Sequence, residues 1–230
     1  MTLPFFKSSR ESREAVHQYE SGAIKEKKVY VKGRLEGLYE SYYENGQIML
    51  TMSYEKGLRE GEAVSYYRDG QVRERGFFQK DKLSGDYVSY YENGQVKERE
   101  FYRDGKLSGA YVLFLKDGQV KEEEHFLDGK FHGPYTSYYK TGEVRERGAF
   151  QNDRREGEFL SLYKSGQIRA RAFYKNDKLQ GQFMTYGKDG RRLDAAGEDE
   201  EAVTADEEAL EERNREFDDL LRNLKDFDKS

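Results

Sequence analysis

Asp86-Tyr87-Val88-Ser89-Tyr90-Tyr91-Glu92-Asn93-Gly94-Gln95-Val96-Lys97-Glu98-Arg99-Glu100-Phe101-Tyr102-Arg103-Asp104-Gly105-Lys106-Leu107-Ser108-Gly109 is the stretch whose reading decides the fold. Aromatic and β-branched residues on both sides of Asn93-Gly94 predict two strands joined by a tight hairpin. A two-residue type I′ turn needs positive φ at both positions, and Asn-Gly tolerates it. The piece after Tyr102 is a longer connection, ending at Gly109, where a missing side chain permits a bulge or a close backbone approach as the next strand begins.

Working outward, the same 24 residues recur along the chain. Gly22, Gly46, Gly70, Gly94, Gly118, Gly142, Gly166 and Gly190 form one ladder at that interval, and Gly37, Gly61, Gly85, Gly109, Gly133, Gly157 and Gly181 form a second. A fixed period of this size marks a repeat array in which each unit buries its apolar face only on its neighbours. The expected fold is therefore mainly β: an elongated single-layer antiparallel meander of 24-residue hairpin repeats, followed by a C-terminal α-helix.

Residues 1–21 are read as a degenerate capping repeat, since Phe6 and Tyr19 lie 24 residues before Tyr30 and Tyr43. Residues 22–193 are the array, 194–203 an acidic linker, and 204–230 an acidic amphipathic helix. That helix opens on the capping-box sequence Thr204-Ala205-Asp206-Glu207 and carries Leu210, Phe217, Leu220, Leu224 and Phe227 on one stripe.

The columns of the array say what the strands face. Tyr30, Tyr54, Phe78, Tyr102, Phe126, Phe150 and Tyr174 make a rib read as core, with cross-strand pairs each contributing about 0.2–1 kcal/mol. Alternation assigns the other face to Tyr39, Tyr87, Tyr111, Tyr135, Phe159 and Phe183, together with Tyr43, Tyr91, Tyr139 and Tyr163. These rings form the candidate partner-binding column, because tyrosine supplies rigid amphipathic area at interfaces; holding a one-layer sheet together is the competing role. Arg73, Arg75, Lys97, Arg99, Arg145, Arg147, Arg169 and Arg171 make a candidate anion-facing stripe. Ordinary solvation, aided by pairs to Glu98, Glu100, Glu122 or Glu124, is the bland reading of that stripe.

Composition narrows the chemistry. The chain has no cysteine, which removes thiolate metal sites and cysteine nucleophiles and fits a cytoplasmic setting. The leading apolar run is too short for a signal peptide, and no segment approaches the roughly 20 apolar residues of a membrane span. His17, His125 and His132 occupy three different columns, so no metal or catalytic role is expected of them. The Gly-rich turns around Gly33, Gly105 and Gly129 are followed by strands rather than helices, so they are no phosphate loops. No cofactor, no metal and no catalytic residue is expected. Net charge is −5, split between 15 acidic and 5 basic residues from 194 to 230 and 30 acidic and 35 basic before them.

The run Asp104-Gly105-Lys106-Leu107-Ser108-Gly109-x-Tyr111-x-x-Phe114-x-x-Asp117-Gly118-Gln119-Val120-Lys121-Glu122 resembles the variant MORN repeat of bacterial YwqK-type antitoxins, over about residues 19–193. The resemblance implies an antiparallel meander without catalytic activity, and in the YwqK group neutralisation of a cognate toxin by direct binding. It transfers repeat positions and no catalytic residue; the acidic tail lies outside its pattern. A protein partner is thus expected, a toxin under the resemblance. The alternative is a structural or membrane-surface scaffold whose basic stripe meets anionic lipid. Nucleic acid is disfavoured because the acidic tail would compete for the same cations. The oligomeric state is left open.

Overall fold

A computed structural model of the chain describes residues 12–193. Every regular element among them is a strand, from Ser12–Gln18 to Arg192–Leu193, and all pair antiparallel in one sheet. The predicted helix with Leu210, Phe217, Leu220, Leu224 and Phe227, like the linker 194–203 and the first eleven residues, lies outside the described part.

One unit shows how the sequence builds the sheet. Strand Gly85–Tyr90 turns into strand Val96–Arg103, with Tyr87 opposite Glu100 and Ser89 opposite Glu98. Val96–Arg103 then doubles back through the two-residue strand Lys106–Leu107 and pairs with Gly109–Phe114 of the next unit.

The turns exchange the roles expected of them. At the first turn only Gly94 has positive φ (80°), and Asn93 does not. Tyr91 N donates to Gln95 O and Gly94 N to Tyr91 O, so this is a three-residue loop ending on a left-handed glycine. The asparagine acts through its side chain: Asn93 Oδ1 accepts from Gln95 N at 3.1 Å, as Asp69, Asp117 and Asp189 Oδ1 accept from the backbone N–H two residues on, of Gln71, Gln119 and Arg191. The two-residue turn with both φ positive is instead Asp104-Gly105, at 52° and 78°, where Arg103 pairs with Lys106. Three units place an Asp at the second position, Asp81, Asp153 and Asp177, and tolerate φ of 66–67° there. The side chain repays the strain, because Oδ1 accepts the backbone N–H of Arg59, Phe131 and Arg155 in the preceding unit, each at 2.8 Å.

Two irregularities per unit interrupt the ladder, and only a one-residue excess changes which side chains share a face. Val96 faces Tyr90 but Glu98 faces Ser89, so Lys97 is an extra residue. Tyr102 faces Leu107 but Arg99 faces Val112, so the chain around Ser108 and Gly109 carries two more residues than its partner. A slip of one residue moves every later side chain to the other face. The sequence reading had placed the Tyr102 rib and the Tyr87 column on opposite faces; they lie on the same one, and their rings meet edge to face at 6.0 Å.

That shared face is the core. Tyr87, Tyr102, Leu107, Tyr111, Phe126, Phe131, Tyr135 and Phe150 are buried on it, and Phe126, Phe131, Phe150, Phe159 and Tyr174 run on as a chain of ring contacts 4.5–5.4 Å apart. Where a ring lies directly over the preceding unit, that unit has glycine: a Cβ on Gly148 would stand 2.5 Å from Phe159, and one on Gly76 would stand 2.8 Å from Tyr87. Room, not φ, requires these two glycines.

A second link between units runs along the hairpin tips. The hydroxyls of Tyr19, Tyr43, Tyr67, Tyr91, Tyr139 and Tyr163 each donate to a carbonyl 23 residues on, at 2.6–2.9 Å. Leu115 holds the equivalent place without a hydroxyl, although its turn keeps the same backbone bonds.

Gly148→Ala is expected to lower stability by about 1–3 kcal/mol through overpacking, and Phe159→Leu in the same chain to recover part of it, read by urea unfolding. Leu115→Tyr is expected to raise stability by about 0.5–1.5 kcal/mol by completing the ladder toward the Tyr138 carbonyl, as a net hydrogen bond gained; an unchanged midpoint would refute the ladder as a stabilising device.

Candidate functional site

The two faces of the sheet differ in chemistry. The inner face of the central units combines rings with carboxyls: Glu98, Glu100, Glu122 and Glu124 are all buried there, beside Tyr87, Tyr102 and Tyr111. Strand pairing forces this, since Glu98 and Glu100 alternate with Tyr102 on one strand and face Ser89 and Tyr87 on the other. Glu98 Oε2 accepts from Ser89 Oγ at 2.7 Å, and Lys97, the extra residue of the bulge, brings Nζ to 3.1 Å from Glu98 Oε1. Glu100 accepts from Tyr102 Oη at 2.5 Å through Oε2, while its buried Oε1 has no partner among the described residues.

Electrostatics follow from that burial. Desolvation pushes the Glu100 carboxyl up to about 8, with the Glu98 charge adding to it and the Tyr102 hydrogen bond opposing it. Glu100 therefore holds its proton at neutral pH. Burial also raises the phenols of Tyr87, Tyr102 and Tyr111 well above their ordinary value, and that of Tyr39 to about 12, so all stay neutral. A protonated acid beside a carboxylate has the form of an acid–base pair, but Glu100 and Glu98 are 3% and 5% exposed.

The candidate aromatic column divides in two. Tyr87, Tyr111 and Tyr135 are buried on the inner face, and Tyr39, Phe159 and Phe183 are half-buried. Tyr43, Tyr91, Tyr139 and Tyr163 stand at the hairpin tips with their hydroxyls already bonded.

The basic stripe divides as well. Arg73, Lys97 and Arg145 occupy the bulge and reach the next glutamate, Glu74, Glu98 and Glu146, at 3.4, 3.1 and 3.7 Å. Arg169 has alanine at the corresponding place, Ala170, and no ion pair among the described residues. Arg75, Arg99, Arg147 and Arg171 lie on the outer face, opposite Val64, Val88, Thr136 and Leu160. There Arg75 Nε is 3.2 Å from Glu62, Arg171 pairs with Glu158, and Arg99 stands 5.7 Å over the Phe114 ring. Arg147 makes no ion pair with a described residue. Two residues beyond three of these arginines, Phe77, Phe101 and Phe173 are exposed by 54%, 37% and 37%.

Sequence reasoning takes Glu98, Glu100, Glu122 and Glu124 only as partners of the basic stripe and misses their burial. The signal is Glu98-x-Glu100-x-Tyr102, since alternation alone puts both carboxyls on the face of the Tyr102 rib.

Fold and faces together define a class, a β-hairpin repeat scaffold with a self-filled inner face and a cationic, aromatic outer one. Five stretches, 35–56, 59–80, 83–104, 131–152 and 155–176, match a family model, the MORN repeat variant. The structure carries the same hairpin through the gap between the third and fourth, where Leu113 and Leu115 replace the usual Ser and Tyr. No curated protein matches the chain. Among solved structures it aligns with TcdB2-TccC3-Cdc42 at 11% identity and a TM-score of 0.18, over 76% of this chain and 13% of that one. TcdB2-TccC3 aligns at 11% and 0.17 over the same shares. A porin-like protein from Bacteroides uniformis aligns at 9% and 0.19 over 75% of this chain and 94% of its own. This chain spans only 13% of the length of the first two, and at such TM-scores none of the three carries an argument.

Glu100 fixes a pH dependence. Its folded value lies above its ordinary 4.5, so the native state keeps a proton that the unfolded chain releases, and stability falls as pH rises from about 4.5 to about 8. Glu100→Gln is expected to flatten that fall, so that the variant gains on the parent with each step from pH 5 to 7 to 9 in urea midpoints. Parallel curves would show that Glu100 is ionised in the folded protein.

Proposed function

We propose that this protein is a non-enzymatic scaffold whose outer face grips a partner protein, in the manner of an antitoxin or immunity factor that neutralises a toxin in the cytoplasm. The observation that carries the reading is the recurrence of an exposed Phe two residues from an Arg, as in Arg75 and Phe77, Arg99 and Phe101, and Arg171 and Phe173. Arginine and aromatic side chains dominate interface hot spots because they combine apolar area with charge-assisted hydrogen bonds. A regular spacing of such pairs suits a partner that runs across several units and offers carboxylates to the guanidinium groups. The inner face is an unsuitable gripping surface, being filled by its own rings. The acid pair Glu98 and Glu100 is sealed in that packing, which supports binding over catalysis.

The antitoxin role rests on the likeness of the repeat to YwqK-type proteins and is tested by co-expression. A toxic product of a neighbouring gene is expected to be neutralised by the parent chain, and rescue to be lost in Phe77→Glu with Phe101→Glu while the far-UV spectrum and unfolding midpoint hold. If rescue survives that double change, or if no neighbouring product is toxic, the role is wrong.

A further inference from the structure

The inner face changes sign toward the first described strand. In the central units the inward positions are Gly85 opposite Tyr102, Tyr87 opposite Glu100 and Ser89 opposite Glu98. In the first pair the same three positions hold Arg13 opposite Tyr30, Ala15 opposite Lys28 and His17 opposite Glu26. Two changes coincide there. The ring held at Tyr39, Tyr87, Tyr111 and Tyr135 is replaced by the methyl of Ala15, as it is by that of Ala63, and here alone the neighbouring place, Glu at 100 and 124, is taken by a cation, Lys28.

The result is a cavity of about 640 Å³ lined by Ser12, Arg13, Ala15, His17, Lys28, Tyr30, Lys32 and Gly33. The carboxylate beside it is already engaged: Glu26 accepts from Lys28 Nζ at 2.7 Å and from the Tyr39 hydroxyl at 3.0 Å, and lies 2.6 Å from His17 Nδ1. Arg13 and Lys32 make no ion pair among the described residues. The pocket is therefore cationic.

We propose that this cavity binds a small molecule in which an aromatic ring carries an anionic group, phosphate above all. The ring would take the place left by Ala15 and meet Tyr30 edge to face, as Tyr87 meets Tyr102 at 6.0 Å. The anion would meet Arg13, whose planar fork matches a phosphate, with Lys28 and Lys32 beside it. This assignment is independent of the outer-face reading above, since the two faces share no residue.

Phenyl phosphate is the probe, titrated into the full chain by calorimetry or by aromatic proton shifts, with phenol and inorganic phosphate as separate arms. Phenyl phosphate is expected to bind at least about tenfold more tightly than either fragment. Arg13→Gln is expected to weaken it about tenfold, as loss of one charge-assisted hydrogen bond does. Ala15→Tyr restores the ring that other units carry, so it is expected to abolish binding with the unfolding midpoint kept or raised. Three results would overturn the proposal: inorganic phosphate binding as tightly as phenyl phosphate, binding that survives Ala15→Tyr, or binding seen only after residues 2–11 are deleted. The last would give the cavity to the chain's own leading segment.

Discussion

Ring contact between successive units is the interaction on which the rest of this sheet depends. A one-layer sheet has no second layer to bury its apolar face, so each unit must cover its neighbour. Within a unit the column of Tyr87, Tyr111, Tyr135 and Phe159 meets the rib of Tyr102, Phe126, Phe150 and Tyr174 edge to face at 5.4–6.0 Å, and between units Phe131 meets Phe150 and Phe150 meets Phe159, each at 5.4 Å. Leu107 of the short returning strand, opposite Tyr102, is buried at 4% exposure. Glycine at 76 and 148, Asp clamps from turn to turn and the tyrosine ladder at the tips then all act on the same boundary between units.

Much of this could be read from the sequence, and the part that could not has a definite cause. The 24-residue period is visible because equivalent residues meet equivalent surroundings in every unit, so the glycines at 94 and 109 and the rib through Tyr102 repeat without need of coordinates. Turn chemistry was legible in its residues but not in its assignment. Asn93-Gly94 and Asp104-Gly105 are both good type I′ dipeptides, and only the hydrogen-bond register says that the second makes that turn while Asn93 serves as an acceptor. Faces were the weakest inference, because the two columns were never counted across the turn: a two-residue turn at Asn93-Gly94 already sets Tyr87 opposite Glu100, on the face of Tyr102. The three-residue loop and the extra Lys97 cancel and give that same pairing.

The assignment of faces governs the candidate sites. Tyr87 and Tyr135, expected to be open to a partner, are 8% and 3% exposed, and the exposed large aromatic residues among those described are Phe77, Phe101 and Phe173. The cations follow suit. Those in the bulge turn toward inner carboxylates, where Lys97 partly offsets the burial of Glu98, and those two residues on stand outside. A basic column in the sequence thus separates into one set that neutralises the core and another that faces solvent.

On the inner face, chemistry beyond the fold must lie where units differ, because what is common to them there is already used in stacking. Along the inner face the units run from Arg13, His17 and Lys28, through the carboxyls Glu98, Glu100, Glu122 and Glu124, to Ala170 and Ala172. Lys28, Met52, Gly76, Glu100, Glu124, Gly148 and Ala172 occupy one column, so no packing rule of the repeat selects a charge there. Where the column is glycine the adjoining ring lies flat on the backbone, and where it is glutamate a carboxyl is held beside the ring. Glu100, whose buried Oε1 has no partner among the described residues, destabilises the unit that carries it. Stacking alone would have favoured Gly, Ala or Met there, as at 52, 76, 148 and 172. The charged middle and the cationic end are therefore the parts of the inner face that the fold does not explain.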